Sequence, residues 1–142
     1  TVDNISVETS SMEPNTDTKK FPVPVSAKVH HGSVRSGQQI SAENSSLVII
    51  GSVNSGGEVL ADGDIHIYGR LKGRALASLG RDNGKIFVSG DYDPELICIE
   101  GTYATGDKEK SELNEKRNGT SMVYLDRNKG QLKVQTISTN IY

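Results

Sequence analysis

The chain has 142 residues, the length of one domain, and a formal net charge of −2. A net charge this close to zero gives no indication of binding to nucleic acid or to an anionic membrane. No apolar run approaches the ~20 residues of a membrane-spanning helix. The single cysteine, Cys98, excludes a disulfide framework within one chain and favours a reducing compartment.

Residues 1–28 are polar and contain a Pro-x-Pro at Pro22 and Pro24. This composition is typical of a disordered linker, because few apolar side chains offset the entropy cost of ordering the backbone. We therefore expect a flexible linker over residues 1–28 and a folded domain over residues 29–142. Since the sequence opens on Thr1 rather than Met, we expect the linker to tether an upstream domain that this chain lacks.

Residues 34–77 contain a repeat. Residues 36–40 (SGQQI) are echoed 19 positions later by residues 55–59 (SGGEV), and residues 47–51 (LVIIG) are echoed 18 positions later by residues 65–69 (IHIYG). A period near 20 residues indicates a solenoid. Within each unit the apolar residues alternate as in short strands and are interrupted by turn residues.

A coil of roughly 18 residues accommodates three short strands and their corners at the strand rise of about 3.3 Å. The repeat therefore predicts an all-β protein, a three-sided β-helix in which each coil buries its apolar row against the next. A further coil is expected at residues 86–103, where the alternation resumes with Ile86-x-Val88 and where Ile-x-Ile-x-Gly-x-Tyr at residues 97–103 matches residues 65–71. Residues 122–137 predict a hairpin that caps the open end of the solenoid, after a charged, solvated loop at residues 106–119.

Strand alternation sends every second side chain outward. Because equivalent positions of stacked coils lie about 4.8 Å apart, outward apolar residues form a contiguous stripe, which on a soluble protein usually marks an interaction site. We interpret the stripe as the interface of a symmetric homodimer, with cover by the C-terminal segment as the alternative. The predicted dimer residues are Val48, Ile50, His66, Tyr68 and Phe87.

A second outward set is polar and lies near the corners at Ser36-Gly37 and Ser55-Gly56. Mixed charge and small residues are typical of a solvated corner and also of the rim of a protein interface, where arginine is enriched. The residues alone leave both interpretations open. The set consists of Arg35, Ser36, Gln38, Glu58, Asp62, Lys72 and Arg74.

No constellation of residues indicates catalysis, a cofactor or a metal ion. His30 and His31 are adjacent and His66 lies in a predicted strand, but no His, Cys, Asp or Glu pair has the spacing of a zinc site. Neither a nucleophile elbow nor a phosphate-binding loop is found. We therefore predict a protein that is not an enzyme.

Three motifs in one order carry a resemblance to a known family: RSGQ at residues 35–38, ADGDIHIYG at residues 61–69 and GRALA at residues 73–77. Together they resemble the C-terminal domain of MinC, the bacterial septum-site-determining inhibitor of cell division. The resemblance covers residues 29 to about 136 and is densest over residues 34–77. It implies a right-handed three-sided β-helix that forms the dimerising half of the inhibitor.

The resemblance also implies partners. The domain would bind MinD, the membrane-associated ATPase, which would bring a cytoplasmic inhibitor to the inner face of the cell membrane to block the FtsZ ring and polar septa. Contact with the membrane would be indirect, and the FtsZ-directed activity would need an N-terminal domain that this chain lacks. The expected MinD-binding surface comprises Arg35, Ser36, Gly37, Gln38 and Arg74, supported by Glu58 and Asp62.

Two other functions are compatible with a β-helix. A bactofilin-like structural protein would polymerise end to end, but such proteins lack the RSGQ tetrad. A hexapeptide-repeat acyltransferase needs an aliphatic residue at every sixth position, which the gap of seven from Ile40 to Leu47 interrupts. We retain the bactofilin-like polymer as the alternative.

Overall fold

The computed structural model describes residues 26–106 and 119–137, so that the predicted linker up to residue 25 and most of the predicted charged loop lie outside the described residues. The first strand begins at Ser26, ahead of the predicted domain boundary at residue 29. None of the described residues is helical. The strands are β1 Ser26–His31, β2 Gln39–Ala42, β3 Ser45–Ile50, β4 Glu58–Ala61, β5 Ile65–Ile67, β6 Arg74–Ala77, β7 Ile86–Val88, β8 Leu96–Ile99, β9 Thr102–Thr105, β10 Thr120–Asp126 and β11 Gln131–Ile137.

The strands wind into coils with three faces. The first face is a sheet in the order β1-β3-β5-β7-β10-β11, and the second is a sheet in the order β2-β4-β6-β8-β9. Single-residue parallel bridges form the third face and connect Val34, Val53, Leu71 and Tyr92 in succession. Within each sheet, strands β1 to β8 run parallel to one another. This arrangement confirms the predicted all-β, three-sided β-helix.

The register reproduces the repeat in the sequence. Ile40 pairs with Val59, which lies 19 positions later, and Leu47 pairs with Ile65, which lies 18 positions later. Inward side chains of successive coils therefore stack in rows, as Ile49 does on Ile67. Because no single coil can enclose an apolar interior, this stacking between coils supplies the hydrophobic core. Its largest fully buried side chains are Leu47, Ile49, Ile65, Ile67, Leu71, Ile86, Ile97, Ile99, Val34, Val53, Val59 and Val88.

The coil predicted at residues 86–103 is present, but the predicted match of residues 97–103 to residues 65–71 was wrong. Residues 86–88, rather than 97–103, continue the register of β5, whereas Ile97 and Ile99 pair with Ala75 and Ala77 in the second sheet. The chain then turns at Gly101, and β9 runs antiparallel to β8. Alternating isoleucines fit any inward row of the solenoid, so the pattern could not distinguish one face from another.

The predicted capping hairpin is confirmed. Strands β10 and β11 pair antiparallel around a turn at residues 127–130, and β10 pairs antiparallel with β7. Val123 and Leu132 join the core at 0% and 9% exposure. The hairpin thus contributes apolar side chains at the C-terminal end of the coils, where no further parallel coil follows among the described residues.

A polar cluster ties the hairpin turn to the coils. The Arg127 guanidinium lies 2.5 Å from a Glu100 carboxylate oxygen and donates to the Asn83 side-chain oxygen at 3.2 Å. The same oxygen of Glu100 accepts the Asn83 backbone N–H at 2.8 Å. This backbone N–H and the guanidinium lower the pKa of the Glu100 carboxyl from its ordinary value of 4.5. The ionised form of Glu100 therefore fastens the hairpin to the loop before β7.

We expect Ile67→Ala to lower the free energy of unfolding by about 2–5 kcal/mol, because it leaves a cavity between two coils. Leu79→Ala, at a position that is 48% exposed, is the matched control and should change stability by about 0.5 kcal/mol or less. Urea denaturation followed by circular dichroism measures both. An equal loss in the two variants would contradict the stacked core.

We expect Glu100→Gln to lower the melting temperature at neutral pH, because it removes a charged hydrogen-bond acceptor. Since the pKa is lowered in the folded state, the contribution of Glu100 is complete above the ordinary pKa of 4.5 and is lost as the pH falls through the folded value. The difference in melting temperature between the native chain and the variant should therefore shrink below about pH 4.5. Glu43→Gln, at an exposed turn position, is the control. A difference that persists undiminished in acid would contradict the role of the carboxylate.

Candidate protein-docking site

The RSGQ tetrad forms a tight, exposed turn between the third face and β2. The Gln38 N–H donates to the Arg35 carbonyl oxygen at 2.9 Å. The Gln38 side-chain oxygen in turn accepts the Arg35 N–H, also at 2.9 Å. Gly37 has a φ of +83°, and a Cβ added at this glycine would meet no atom within 4 Å. The turn therefore presents open backbone that a partner can approach closely.

The equivalent turn of the next coil stacks directly on the tetrad. The Gly37 N–H donates to the Gly56 carbonyl oxygen at 2.9 Å. Gly56 also has a φ of +83°, and a Cβ there would collide with the Ser36 hydroxyl. The Gly56 N–H donates to a Glu95 carboxylate oxygen at 3.2 Å, which braces the two turns from a later coil. The sequence analysis did not identify Glu95, because nothing in the repeat links it to the tetrad.

A polar row continues from the tetrad across the second sheet. Gln39 pairs with Glu58, and Glu58 pairs with Arg74. One Glu58 oxygen accepts the Gln39 amide at 2.6 Å, and the other lies 3.8 Å from Arg74 Nε. Arg74 Nε is buried without a hydrogen-bond partner, while the side chain as a whole is 43% exposed. Glu58 therefore holds Arg74 near the tetrad without saturating its donors.

Asp62 lies apart from the other predicted docking residues. It follows the last residue of β4, whereas Glu58 is the first residue of that strand. One Asp62 carboxylate oxygen accepts the Asn44 N–H at 2.6 Å, so the side chain fixes the turn between β2 and β3. Lys72 has an ion-pair partner of its own, since its ammonium group lies 3.8 Å from the Asp93 carboxylate. The corner site is accordingly defined here as Arg35, Ser36, Gly37, Gln38, Glu58 and Arg74.

Apolar side chains adjoin the corner site on the outer side of the second sheet. Leu60 and Leu76 are half-buried and pair with each other. Each lies two residues after Glu58 or Arg74 and therefore on the same side of its strand. The row continues through Cys98 to Tyr103, which is 68% exposed. Period-two alternation in EVLA and RALA was the signal for this row, and the sequence analysis did not use it.

The predicted dimer residues all lie on the outer side of the first sheet. Val48, His66 and Phe87 form one row through direct strand pairing. The His66 and Phe87 rings stack with centroids 4.6 Å apart and an angle of 8° between their planes. Ile50 and Tyr68 are more open, at 41% and 57% exposure. The structure thus brings all five residues together on one surface.

This surface extends further than the sequence indicated. Val29, which pairs with Val48, is 50% exposed. Toward the opposite edge of the sheet, Met122 pairs with Phe87. Ile137 of β11 is 38% exposed. The sequence analysis missed Met122 and Ile137 because the pairing of the hairpin with β7 could not be inferred. The apolar face is defined here as Val29, Val48, Ile50, His66, Tyr68, Phe87, Met122 and Ile137.

Among residues 26–106 and 119–137, no three His, Cys, Asp or Glu side chains are grouped as metal ligands. The same part of the chain contains no helix long and apolar enough to cross a membrane. The contacts of the corner site are hydrogen bonds and an ion pair, with apolar side chains beside them.

Comparison with known proteins places the chain in a family. The family model for the septum formation inhibitor MinC, C-terminal domain, matches residues 28–137. A probable septum site-determining protein MinC of Pseudoalteromonas translucida is 41% identical over 110 residues, which cover 77% of this chain and 47% of the relative. Its counterpart in Shewanella loihica is 46% identical over 81 residues, which cover 57% of this chain and 37% of the relative. The chain thus spans about half or less of the length of these relatives.

A solved structure has a similar fold. The chain superposes on one from the MinC:MinD cell division protein complex of Aquifex aeolicus with a TM-score of 0.66 and 24% sequence identity. The match covers 80% of this chain and 88% of the other. At this level of identity, the likeness establishes a shared fold.

Proposed function

Because the chain belongs to the family of MinC C-terminal domains, we propose that it is the partner-binding domain of an inhibitor of septum formation. In this proposal the domain forms a homodimer and binds a MinD-type ATPase. The observation that carries the proposal is the corner site, an exposed turn with two arginines beside an apolar row. The structural neighbour from Aquifex aeolicus comes from a complex with MinD, which supports the same kind of partner.

The corner site has the chemistry of a docking surface. The Arg35 side chain is exposed, and the Arg74 side chain is 43% exposed. A guanidinium presents a planar set of donors that suits carboxylates of a partner. Gln38 uses its side-chain oxygen within the turn, which leaves its amide N–H groups to a partner acceptor. Two positive groups separated by open backbone at Gly37 favour a partner surface with acidic side chains.

The neighbouring apolar row completes the composition of an interface. Protein interfaces combine an apolar centre with a polar rim, in which aromatic residues and arginine are enriched. Here Leu60 and Leu76 would supply the centre, and Arg35 and Arg74 would supply the rim. Tyr103, at 68% exposure, would add an aromatic contact at the far end of the row.

The apolar face on the first sheet suits a second copy of the chain. It is contiguous across six strands and includes the exposed side chains of Val29, Ile50 and Tyr68. Large exposed apolar patches usually mark interaction sites, and twofold homodimers are the commonest soluble oligomers. Because this face and the corner site lie on different sheets, one dimer would present two corner sites.

We propose further that the longer protein acts on FtsZ mainly through a domain that precedes this chain, to which the residues ahead of β1 form the tether. The protein would be cytoplasmic and would reach the inner face of the membrane only through the ATPase. Such an arrangement needs neither a cofactor nor catalytic groups in this domain.

A double substitution, Ile50→Asp with Tyr68→Asp, should convert the dimer to monomer, because association would bury unpaired carboxylates at a cost of several kcal/mol. Sedimentation velocity should give a monomer, while the β circular-dichroism spectrum stays unchanged. Leu79→Asp, at a 48% exposed loop position, is the control and should stay dimeric. A double variant that remains dimeric would place the interface elsewhere.

Arg35→Ala should weaken ATP-dependent recruitment of the chain to MinD-coated lipid vesicles by about thirtyfold. This factor corresponds to the roughly 2 kcal/mol typical of an interface hot-spot arginine. Stability and dimerisation should hardly change, because the side chain is exposed. Cosedimentation with vesicles, with and without ATP, is the measurement.

Arg70→Ala is the matched control, since Arg70 is also exposed but lies at another corner. Its recruitment should equal that of the native chain. Undiminished recruitment of a double Arg35→Ala, Arg74→Ala variant would refute the assignment of the corner site, even if the dimer is confirmed.

A further inference from the structure

The N-terminal end of the solenoid is formed by strand edges. Among the described residues, β1 has a single neighbour, β3, and β2 has a single neighbour, β4. Val34, on the third face, is bridged only to Val53. An edge of this kind presents unpaired backbone groups in register with any further strand, and is therefore a template for pairing with another chain.

At this end, two of the apolar interior rows finish in polar residues. In the row of inward positions that contains Leu47, Ile65 and Ile86, the position in the first coil is taken by Lys28. The next inward row, which contains Ile49, has His30 in the first coil. Other inward positions of this coil remain apolar, since Val34 is 0% and Ala42 is 3% exposed. At the end of an aliphatic row, leucine would pack better than lysine does.

The Lys28 side chain reaches across the end from the first sheet to the second. Its ammonium group donates to the Ser41 carbonyl oxygen at 2.8 Å. The carbonyls of Gln38 and Ala42 accept the N–H groups of Glu58 and Asp62 in the next coil. Because alternate residues of a parallel strand bond to opposite sides, the Ser41 carbonyl faces away from β4. Lys28 thus occupies an outer acceptor of β2, which an added strand would otherwise use.

We infer that Lys28 is a blocking side chain that keeps the open N-terminal end of the solenoid from pairing with a second copy of this chain. Lys28 is an exposed residue in the single chain. A second end stacked on it would remove its hydration and bring two like charges together, and both effects oppose association. Inward-pointing charges are an established way for natural β-proteins to protect an edge.

If Lys28 were removed, this end could pair with the same end of another copy of the chain. At the C-terminal end, antiparallel β9 and the β10–β11 hairpin replace the parallel coils, so the two ends are not complementary. Two N-terminal ends related by a twofold axis would pair β1 with β1 in antiparallel fashion, which closes a dimer. This contact is independent of the apolar face and of the proposed function.

The test replaces Lys28 by leucine in the full chain, which extends the aliphatic row and frees the Ser41 carbonyl. Lys28→Arg, which keeps a long inward cation, and Lys129→Leu, which makes the same chemical change at an exposed turn, are the controls. Each variant is prepared in the native sequence and with Ile50→Asp and Tyr68→Asp. Sedimentation velocity over a hundredfold range of concentration measures self-association, and circular dichroism verifies the fold.

Lys28→Leu should associate at least tenfold more tightly than the native chain in both backgrounds. It should form discrete dimers when the apolar face is blocked. When that face dimerises, each dimer carries two N-terminal ends, and longer assemblies should appear. Both controls should behave as the native chain does.

Unchanged sedimentation of a folded Lys28→Leu variant would overturn the inference, and would indicate that residues 1–25 cover the end. Association of Lys28→Arg equal to that of Lys28→Leu would overturn it as well, because the inward charge would then not matter. Neither result depends on whether the apolar face forms the proposed dimer, since each comparison is made within one background.

Discussion

Parallel pairing between coils is the constraint on which the rest of this molecule depends. Backbone pairing joins each coil to its neighbours, and every strand from β1 to β8 is held by hydrogen bonds to the coil before or after it. The register fixes which side chains stack, so that inward rows such as Ile49 on Ile67 become the core. A shift of one residue would turn every apolar row outward, and the buried rows therefore specify the register strongly.

The same constraint determines the outer surfaces. Side chains that point outward at equivalent positions are aligned from coil to coil. A surface patch is therefore a row of residues from successive coils rather than a continuous stretch of sequence. His66 on Phe87 belongs to an apolar row of the first sheet, whereas Glu58 beside Arg74 belongs to a polar row of the second. The third face is joined only by single-residue bridges. One short repeat thus carries two chemically distinct surfaces with little interference between them.

The parts that were predictable from the sequence are those that the period determines. The offsets of 19 and 18 residues place Ile40 under Val59 and Leu47 under Ile65, and outward positions such as Tyr68 follow by alternation. Local pattern failed where the period is interrupted. Residues 78–85 lengthen one coil, after which Ile97 and Ile99 fit the inward pattern equally well on either sheet. The pairing of β10 with β7 spans residues that have no counterpart in the repeat, so Met122 could not be assigned to the apolar face.

The corner site was predictable for a different reason, and only in part. A motif resemblance identified the tetrad, but its physical support comes from contacts distant in sequence, such as the bond from the Gly56 N–H to Glu95. Asp62 was grouped with the tetrad because it follows Glu58 closely along the chain. A strand of four residues nevertheless carries Asp62 about 13 Å from that corner, at a rise of about 3.3 Å per residue.

A stack of parallel coils has no intrinsic limit on its length, so the ends decide whether it stays a discrete domain or becomes a filament. At the C-terminal end the direction of the chain reverses twice, into β9 and into the hairpin, and the polar cluster of Asn83, Glu100 and Arg127 fastens that reversal. At the N-terminal end the strands remain parallel, and there the aliphatic row ends on a lysine. A polymer-forming β-helix needs ends that accept one another, and these two ends differ in strand direction and in charge. The architecture therefore favours a discrete binding domain over the bactofilin-like polymer, although both are built from the same repeat.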